Sequence, residues 1–188
     1  APIIVKLAAR NVLVQFSAYH LMGFDTKTGE LLWSYEQDNL EPEKRTLGMG
    51  DTHSNTVIYE DGSIYMVAGD GNCGVKLELS EDGSSITEVW RNAQLDGFMG
   101  GIVSIGDYIY SNGSAKPVFI SVNKNTGEIA STLKIGSGAV IAADDLLYYY
   151  NQKGEVMLID PNSTDMKVIS KFKITKGEKE HFAHPIIN

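Results

Sequence analysis

The sequence predicts an all-β fold built from four-stranded antiparallel sheets, and three observations support this. A turn motif rich in Asp, Asn, Thr and Gly recurs at an average spacing of about 45 residues, within the period of propeller blades. Each period contains four short runs rich in Val, Ile, Leu and Tyr, which favour strands. No stretch shows the 3.6-residue apolar period of an amphipathic helix. Together these observations predict a β-propeller of four-stranded antiparallel blades.

The clearest copy of the turn motif is GFDTKTGELLW at residues 23–33. The Asp25 side chain can accept hydrogen bonds from its own turn, and Gly29 adopts positive φ without a steric penalty. The five-residue link between two apolar runs has the length of a hairpin loop. The motif therefore predicts a tight turn between the third and fourth strands of a blade.

Three further copies follow along the chain. A close copy, NKNTGE, lies at 123–128, and looser copies lie at 79–83 and 160–165. Trp90 follows the second copy as Trp33 follows the first. The residues that define the repeat are Asp25, Gly29, Trp33, Trp90, Gly127 and Asp160.

The predicted strands follow the same order in each period. The first strands are expected at 2–5, 55–59, 101–104 and 139–142. The second strands are expected at 12–16, 63–68, 108–110 and 146–150. The third strands end at Phe24, Leu79, Val122 and Ile159, and the fourth strands begin at Leu31, Ile86, Ile129 and Val168. The predicted blades cover 1–48, 49–97, 98–136 and 137–180 in a single domain.

The two ends of the chain share a short pattern. The residues APII at 1–4 recur as AHPII at 183–187, which predicts the first strand of a fifth blade at 181–188. We therefore expect part of a larger ring of about six to eight blades. The alternative is a compact four-bladed ring in which the extra strand locks the closure.

Composition limits the function. The net charge is −8 and no basic cluster stands out, which argues against nucleic acid and anionic membrane surfaces as partners. No apolar run approaches the ~18 residues of a membrane span, and the first residues lack the features of a signal peptide. Cys73 is the only cysteine, so no internal disulfide is expected, and a buried apolar role is favoured over a reactive thiol.

Residues 23–33 resemble the repeat of the pyrroloquinoline quinone (PQQ) dehydrogenase-like and BamB-like β-propellers. Later copies depart from it, because Asn123 replaces Asp25, Ser131 stands where Trp33 would, and Val168 or Ile169 stands there in the last blade. The resemblance implies a Trp packed between neighbouring blades. It also implies a periplasmic or extracellular location and a non-catalytic scaffold that binds a protein or peptide.

The quinoprotein enzymes of this family typically hold their cofactor with a vicinal disulfide, a stacking Trp and a bound calcium ion. This chain has no Cys-Cys pair, and both Trp33 and Trp90 belong to the repeat. None of the family's cofactor residues carries over, so we expect no catalytic residue and no cofactor. PQQ and calcium are implied only by the alternative, a fragment of a quinoprotein dehydrogenase.

The two faces of the predicted propeller differ. One face carries short acidic turns, and the other carries the second-to-third loops and the links between blades; we call the second one the loop face. Binding candidates on the loop face are His20, Asp51, His53, Asp70, Asn72 and His181. Weak metal candidates are His53, His181 and His184, since a His-x-x-His pair without a fixed third ligand is a poor metal signal. The competing interpretation is that long loops simply collect polar residues.

The predicted function is a non-catalytic extracytoplasmic propeller that binds a protein or peptide through its loop face or its strand edges. Besides the dehydrogenase fragment, a second alternative is glycan or small-ligand binding on the loop face. An open arc of blades would also expose two sheet faces, so self-association is a further expectation.

Overall fold

The computed structural model describes residues 1–37, 43, 54–69, 73–114, 116–162, 164–177 and 179–187. In this part of the chain, sixteen strands form four antiparallel four-stranded sheets, and there is no α-helix. None of its elements is a helix long and apolar enough to cross a membrane. The predicted all-β propeller of four-stranded antiparallel blades is confirmed as a partial propeller.

Each blade is a simple meander in chain order. Blade one consists of β1 Ile3–Lys6, β2 Asn11–Phe16, β3 His20–Asp25 and β4 Leu31–Glu36. Blade two consists of β5 Ile58–Glu60, β6 Ser63–Ala68, β7 Cys73–Leu79 and β8 Ile86–Asn92. Blade three consists of β9 Val103–Ile105, β10 Tyr108–Asn112, β11 Phe119–Asn123 and β12 Ile129–Leu133. Blade four consists of β13 Gly138–Ala143, β14 Leu146–Asn151, β15 Glu155–Asp160 and β16 Lys167–Lys173.

The third-to-fourth turns of blades one and three share one hydrogen-bond pattern. In blade one the Asp25 carboxylate accepts the backbone N–H groups of Lys27 and Thr28 at 2.8 and 3.0 Å. In blade three the Asn123 amide oxygen accepts two backbone N–H groups in the same way, at 2.8 and 3.2 Å. Gly29 and Gly127 close the two turns with φ of 76° and 74°. Asn therefore replaces Asp because the turn needs an acceptor and not a charge.

The same irregularity follows each of these turns. In all four blades the register between the third and fourth strands shifts by a β-bulge just past the turn. A bulge increases the local twist of a strand pair. The repeated bulge therefore gives each blade the same twist, which suits the regular stacking of blades.

Three apolar cores lie between neighbouring blades. The first joins blades one and two around Leu21, Trp33, Ile64 and Leu77. The second joins blades two and three around Tyr65, Val67, Ile109 and Ile120. The third joins blades three and four around Tyr110, Phe119, Leu147 and Tyr149. The cores thus hold blade against blade, as in a propeller.

Both tryptophans contribute to these interfaces. Trp33 is 7 % exposed in the first core, and its ring lies where a Cβ on Gly23 would come within 2.1 Å. Trp90 of blade two donates its indole N–H to the Lys124 carbonyl of blade three at 2.9 Å, and its ring covers Gly127. Both therefore lie between neighbouring blades, as the resemblance implies.

The end of the chain differs from the sequence prediction. Residues 179–187 contain no strand, although the first strand of a fifth blade is predicted at 181–188. A first strand forms by pairing with the second strand of its own blade, and the given sequence does not contain one. The division of the chain into blades at 48, 97, 136 and 180 stays a prediction.

Candidate partner-binding site

Two of the predicted loop-face residues, His20 and His181, lie within the described part of the chain. Asp51, His53, Asp70 and Asn72 lie outside the described residues. His20 begins β3 and is half-buried.

His181 is the candidate with the most contacts. Its backbone N–H donates to the Gln152 carbonyl at 3.0 Å, its ring packs edge-on against Tyr150, and its Nδ1 hydrogen-bonds the Tyr150 hydroxyl. His184 lies instead beside Gly101, near the first strands of the blades, which we call the inner strands. Within the described ranges, no three His, Cys, Asp or Glu side chains converge on a possible metal site. His53 lies outside those ranges, so the prediction of no metal site, with His53, His181 and His184 as weak candidates, stays a prediction.

Cys73 is buried and belongs to the first core, at the start of β7. A thiol in this setting behaves as a small apolar side chain. The position supports the apolar role that the sequence favours over a reactive thiol.

The loop face carries a cleft of about 590 Å³ between blades three and four, which we call the blade 3–4 cleft. Lys134 and Ile135, in the link after β12, form one wall, and Lys153, in the β14–β15 loop, forms another. Met157 and Val168 form its floor, and the β16 residues Ile169, Ser170 and Lys171 complete it. The cleft is therefore apolar at its base and basic at its rim.

The one carboxylate in this lining, Glu155, is already engaged. It accepts a hydrogen bond from Asn151 Nδ2 at 2.8 Å and from Lys171 Nζ at 3.3 Å. These hydrogen bonds, from Asn151 first and Lys171 second, hold the pKa of Glu155 below its ordinary value. Asn151 in turn donates to the Ile135 carbonyl at 3.0 Å, so it connects the cleft walls of the two blades.

The lysines of this cleft were not among the sequence-predicted candidates. The repeat places Lys134 in an interblade link and Lys153 in a second-to-third loop, so both could have been assigned to the loop face. Their convergence depends on how blade three packs on blade four, which no local pattern reports.

A second cleft, of about 730 Å³, lies along the inner strands of blades two, three and four. Its walls come from β5, β9 and β13, and His184 lies at one side. Its polar groups include Ser54, Thr56 and Ser104. The Ser104 hydroxyl donates to Glu60 at 2.7 Å and accepts from Lys124 at 2.9 Å, so it is already partnered.

Glu60, Ser104 and Lys124 form a polar cluster that joins blades two and three. Lys124 is 8 % exposed, and its ammonium donates to the Glu60 carboxylate at 2.9 Å. Burial raises the pKa of Glu60, but hydrogen bonds from Lys124 and Ser104 lower it by more, so that the net shift is downward. The cluster therefore stabilises the folded state most when Glu60 is ionised.

Replacement of Glu60 by Gln should cost about 1 kcal/mol at pH 7, since the pair is partly solvent-exposed. A carboxyl whose pKa is depressed by folding adds stability above its unfolded pKa, and this is lost as pH falls through the folded value. The difference between wild type and Glu60→Gln should therefore shrink towards zero near pH 3, measured by urea denaturation at both pH values. An equal difference at pH 7 and pH 3 would contradict the ionic role.

The architecture is that of a β-propeller with Asp/Asn–Gly turns between the third and fourth strands of blades one and three, and with Trp between neighbouring blades. A family model described as outer membrane protein assembly factor BamB matches residues 1–133, and the chain belongs to this family. No curated protein matches the sequence significantly.

Two solved structures share the fold. The crystal structure of BamB from Moraxella catarrhalis aligns with a TM-score of 0.58 at 17 % identity, over 89 % of this chain and 48 % of that chain. A europium-containing methanol dehydrogenase aligns with a TM-score of 0.62 at 15 % identity, over 88 % of this chain and 40 % of that chain. At such identities the likeness shows the fold alone. The chain spans less than half the length of either protein.

Proposed function

We propose that this chain belongs to a non-catalytic propeller scaffold that binds a protein or peptide partner through its loop face. The blade 3–4 cleft carries this proposal, because its 590 Å³ lie within the size range of ligand sites and combine an apolar floor with charged rim groups. Membership of a family described as an outer membrane assembly factor supports a periplasmic location. The proposed partner is therefore an extracytoplasmic polypeptide.

The outer strand of blade four supports the same function. β16 is exposed along most of its length, with Ile169 at 55 % and Phe172 at 64 % exposure. Outer strands of a sheet have backbone N–H and C=O groups on one side that can pair with an added strand. Because β16 also borders the blade 3–4 cleft, an extended peptide could contact both surfaces.

A peptide-display selection tests the proposal. Random twelve-residue peptides displayed on phage are selected against the immobilised chain. Hydrogen exchange then maps where the enriched peptides bind. We expect enriched peptides that protect amides of the loop face or of β16. No enrichment, or protection confined to the short-turn face, would contradict the proposal.

The alternative of a quinoprotein dehydrogenase fragment has one supporting observation, the shared fold with a methanol dehydrogenase. The residues of this chain do not fit the cofactor site, since the sequence has no Cys-Cys pair and the described residues contain no acidic cluster for a metal. Dye reduction after addition of PQQ, calcium and an artificial electron acceptor would favour this alternative.

The cleft along the inner strands is the observation that favours small-ligand or glycan binding. A glycan array tests this second alternative.

Self-association is the remaining proposal for partners, and it rests on two apolar sheet faces. On blade one, the directly paired residues Ile4, Leu13, Phe24 and Leu31 form a row outside the first core. On blade four, the directly paired residues Ala139, Tyr150, Val156 and Phe172 form a row outside the third core. His181 packs on Tyr150 at the inner end of this row, and Phe172 is exposed at its outer end. Among the described residues, no further sheet packs on either row.

The isolated chain should therefore sediment as a dimer or larger species. Leu31 and Phe172 are 50 % and 64 % exposed. The double variant Leu31→Glu with Phe172→Glu should shift the chain to a monomer. The control is Val89→Glu, which adds a charge at an apolar residue of β8, within the arc, that is 44 % exposed. A wild-type chain that sediments as a monomer would contradict the proposal.

A further inference from the structure

We propose that the blade 3–4 cleft binds a peptide segment in which an apolar residue is flanked by carboxylates. This inference rests on the proposed function and specifies its partner. It draws on the width of the cleft, the charge of its rim and the net charge of the chain.

The blade 3–4 cleft is wider than its counterpart between blades two and three. The corresponding cleft between blades two and three holds only about 110 Å³. There, Ile120 pairs with Thr132 at the positions where Met157 pairs with Lys171 in blade four. The same repeat therefore makes a nearly closed gap in one place and an open cleft in the other. An open cleft with Met157 and Val168 at its base and Ile135 in one wall has room for one or two apolar side chains.

The rim is basic although the chain as a whole is acidic. Lys134, Lys153 and Lys171 line the cleft in a protein of net charge −8. Lys171 pairs with Glu155, whereas Lys134 and Lys153 make no ion pair with any described residue. An ammonium group donates hydrogen bonds and accepts none, so a partner that displaces water from these exposed lysines must supply acceptors. Carboxylates beside the apolar anchor meet this requirement.

The negative net charge of the chain makes a long polyanion a poorer partner than a short acidic peptide. A nucleic acid presents phosphates over a distance much longer than the roughly 8–10 Å screening length, so most of them would face the acidic remainder of the chain. A short segment with a few carboxylates interacts only with the local lysines. An apolar side chain of the partner would fill the apolar floor of the cleft, and a phosphate backbone carries no such group.

Fluorescence anisotropy with a defined probe tests the inference. The probe is a fluorescein-labelled peptide, Asp-Glu-Leu-Phe-Glu-Asp, titrated with the whole chain at low salt. One comparison peptide replaces Leu-Phe by Ser-Ser, and another replaces all acidic residues by Lys. We expect the probe to bind, the Ser-Ser peptide to bind at least about tenfold more weakly, and the Lys peptide not to bind.

Variants then locate the binding. The double variant Lys134→Glu and Lys153→Glu should weaken probe binding by about tenfold or more, since two attractions become repulsions. The matched control is Lys27→Glu with Lys116→Glu, which makes the same change in net charge. Lys116 lines the narrow cleft between blades two and three, and Lys27 lies in the exposed turn of blade one. The control should change the affinity for the probe by no more than about twofold, because neither lysine reaches the blade 3–4 cleft.

Three results would overturn the inference. They are no binding of the probe, equal binding of the Ser-Ser peptide, and equal weakening by the control double variant. If display selection still yields peptides that protect another part of the loop face or β16, the proposed function stands and this partner chemistry fails. If neither experiment shows binding, both fail.

Discussion

Replacement of Trp33 by Ala is expected to lower the free energy of unfolding by about 3–5 kcal/mol, which is among the largest effects of a single core truncation. In a chain of this length the melting temperature should fall by about 6–20 °C. Trp33 is 7 % exposed and packs in the core that joins blades one and two. Thermal and urea unfolding followed by circular dichroism measure the loss.

The reason for this loss is packing. The Trp33 indole N–H has no hydrogen-bond partner among the described residues, so its removal leaves no acceptor unpaired. Trp33→Phe keeps most of the buried ring and should cost clearly less than Trp33→Ala. Gly23→Ala should also destabilise, because the new Cβ would meet the Trp33 ring. An unchanged melt of Trp33→Ala would show that the ring is exposed.

Local chemistry explains why so much of the fold was predictable. The turns at Asp25 and Asn123 are closed by side-chain oxygens that accept N–H groups two and three residues on, and such contacts are encoded within six residues. The apolar runs that form the strands between these turns are also encoded by residues close together in the sequence. Since the pattern repeats, the sequence also identifies which strands are equivalent, and the four sheets confirm it.

The candidate site was predicted less well because it depends on contacts between blades. The width of the blade 3–4 cleft is set by the packing of two sheets, and the repeat does not distinguish it from the narrow cleft before it. His181 was predicted as a loop-face residue, but its partnership with Tyr150 joins positions 31 residues apart. The predicted strand at 181–188 shows a third limit, because a strand-like sequence forms a strand only beside a pairing partner.

Two buried asparagines that the sequence did not single out connect the blades near the inner strands. Asn55 is 3 % exposed, and its Nδ2 donates to the carbonyls of Val67 and Gly97 at 3.0 and 2.7 Å. Its Oδ1 accepts the Gly101 N–H at 2.9 Å. Asn112, 1 % exposed, donates to the carbonyls of Met99 and Gly138. Asn55 therefore satisfies backbone groups of the link between blades two and three, and Asn112 connects that link to the first residue of β13.

Replacement of Asn55 by Asp should cost about 3–5 kcal/mol at pH 7, since a buried carboxylate would face two carbonyl oxygens in place of the donors they had. Folding would disfavour the charged form and raise the pKa of the new carboxyl above its unfolded value of about 3.9. The loss should then be smallest below that pH and grow as the pH rises. Urea denaturation between pH 4 and pH 8 measures it.

The matched control makes the same chemical change where only acceptors are needed. Asn123→Asp gives blade three the turn residue that blade one already has at Asp25, and its carboxylate would accept two backbone N–H groups. This variant should be neutral or slightly stabilising at pH 7. One substitution should therefore have opposite effects at two sites, because Asn55 must donate to two carbonyls whereas Asn123 only accepts N–H groups. If Asn55→Asp were as stable as wild type at pH 8, the donor role of Asn55 between the blades would be wrong.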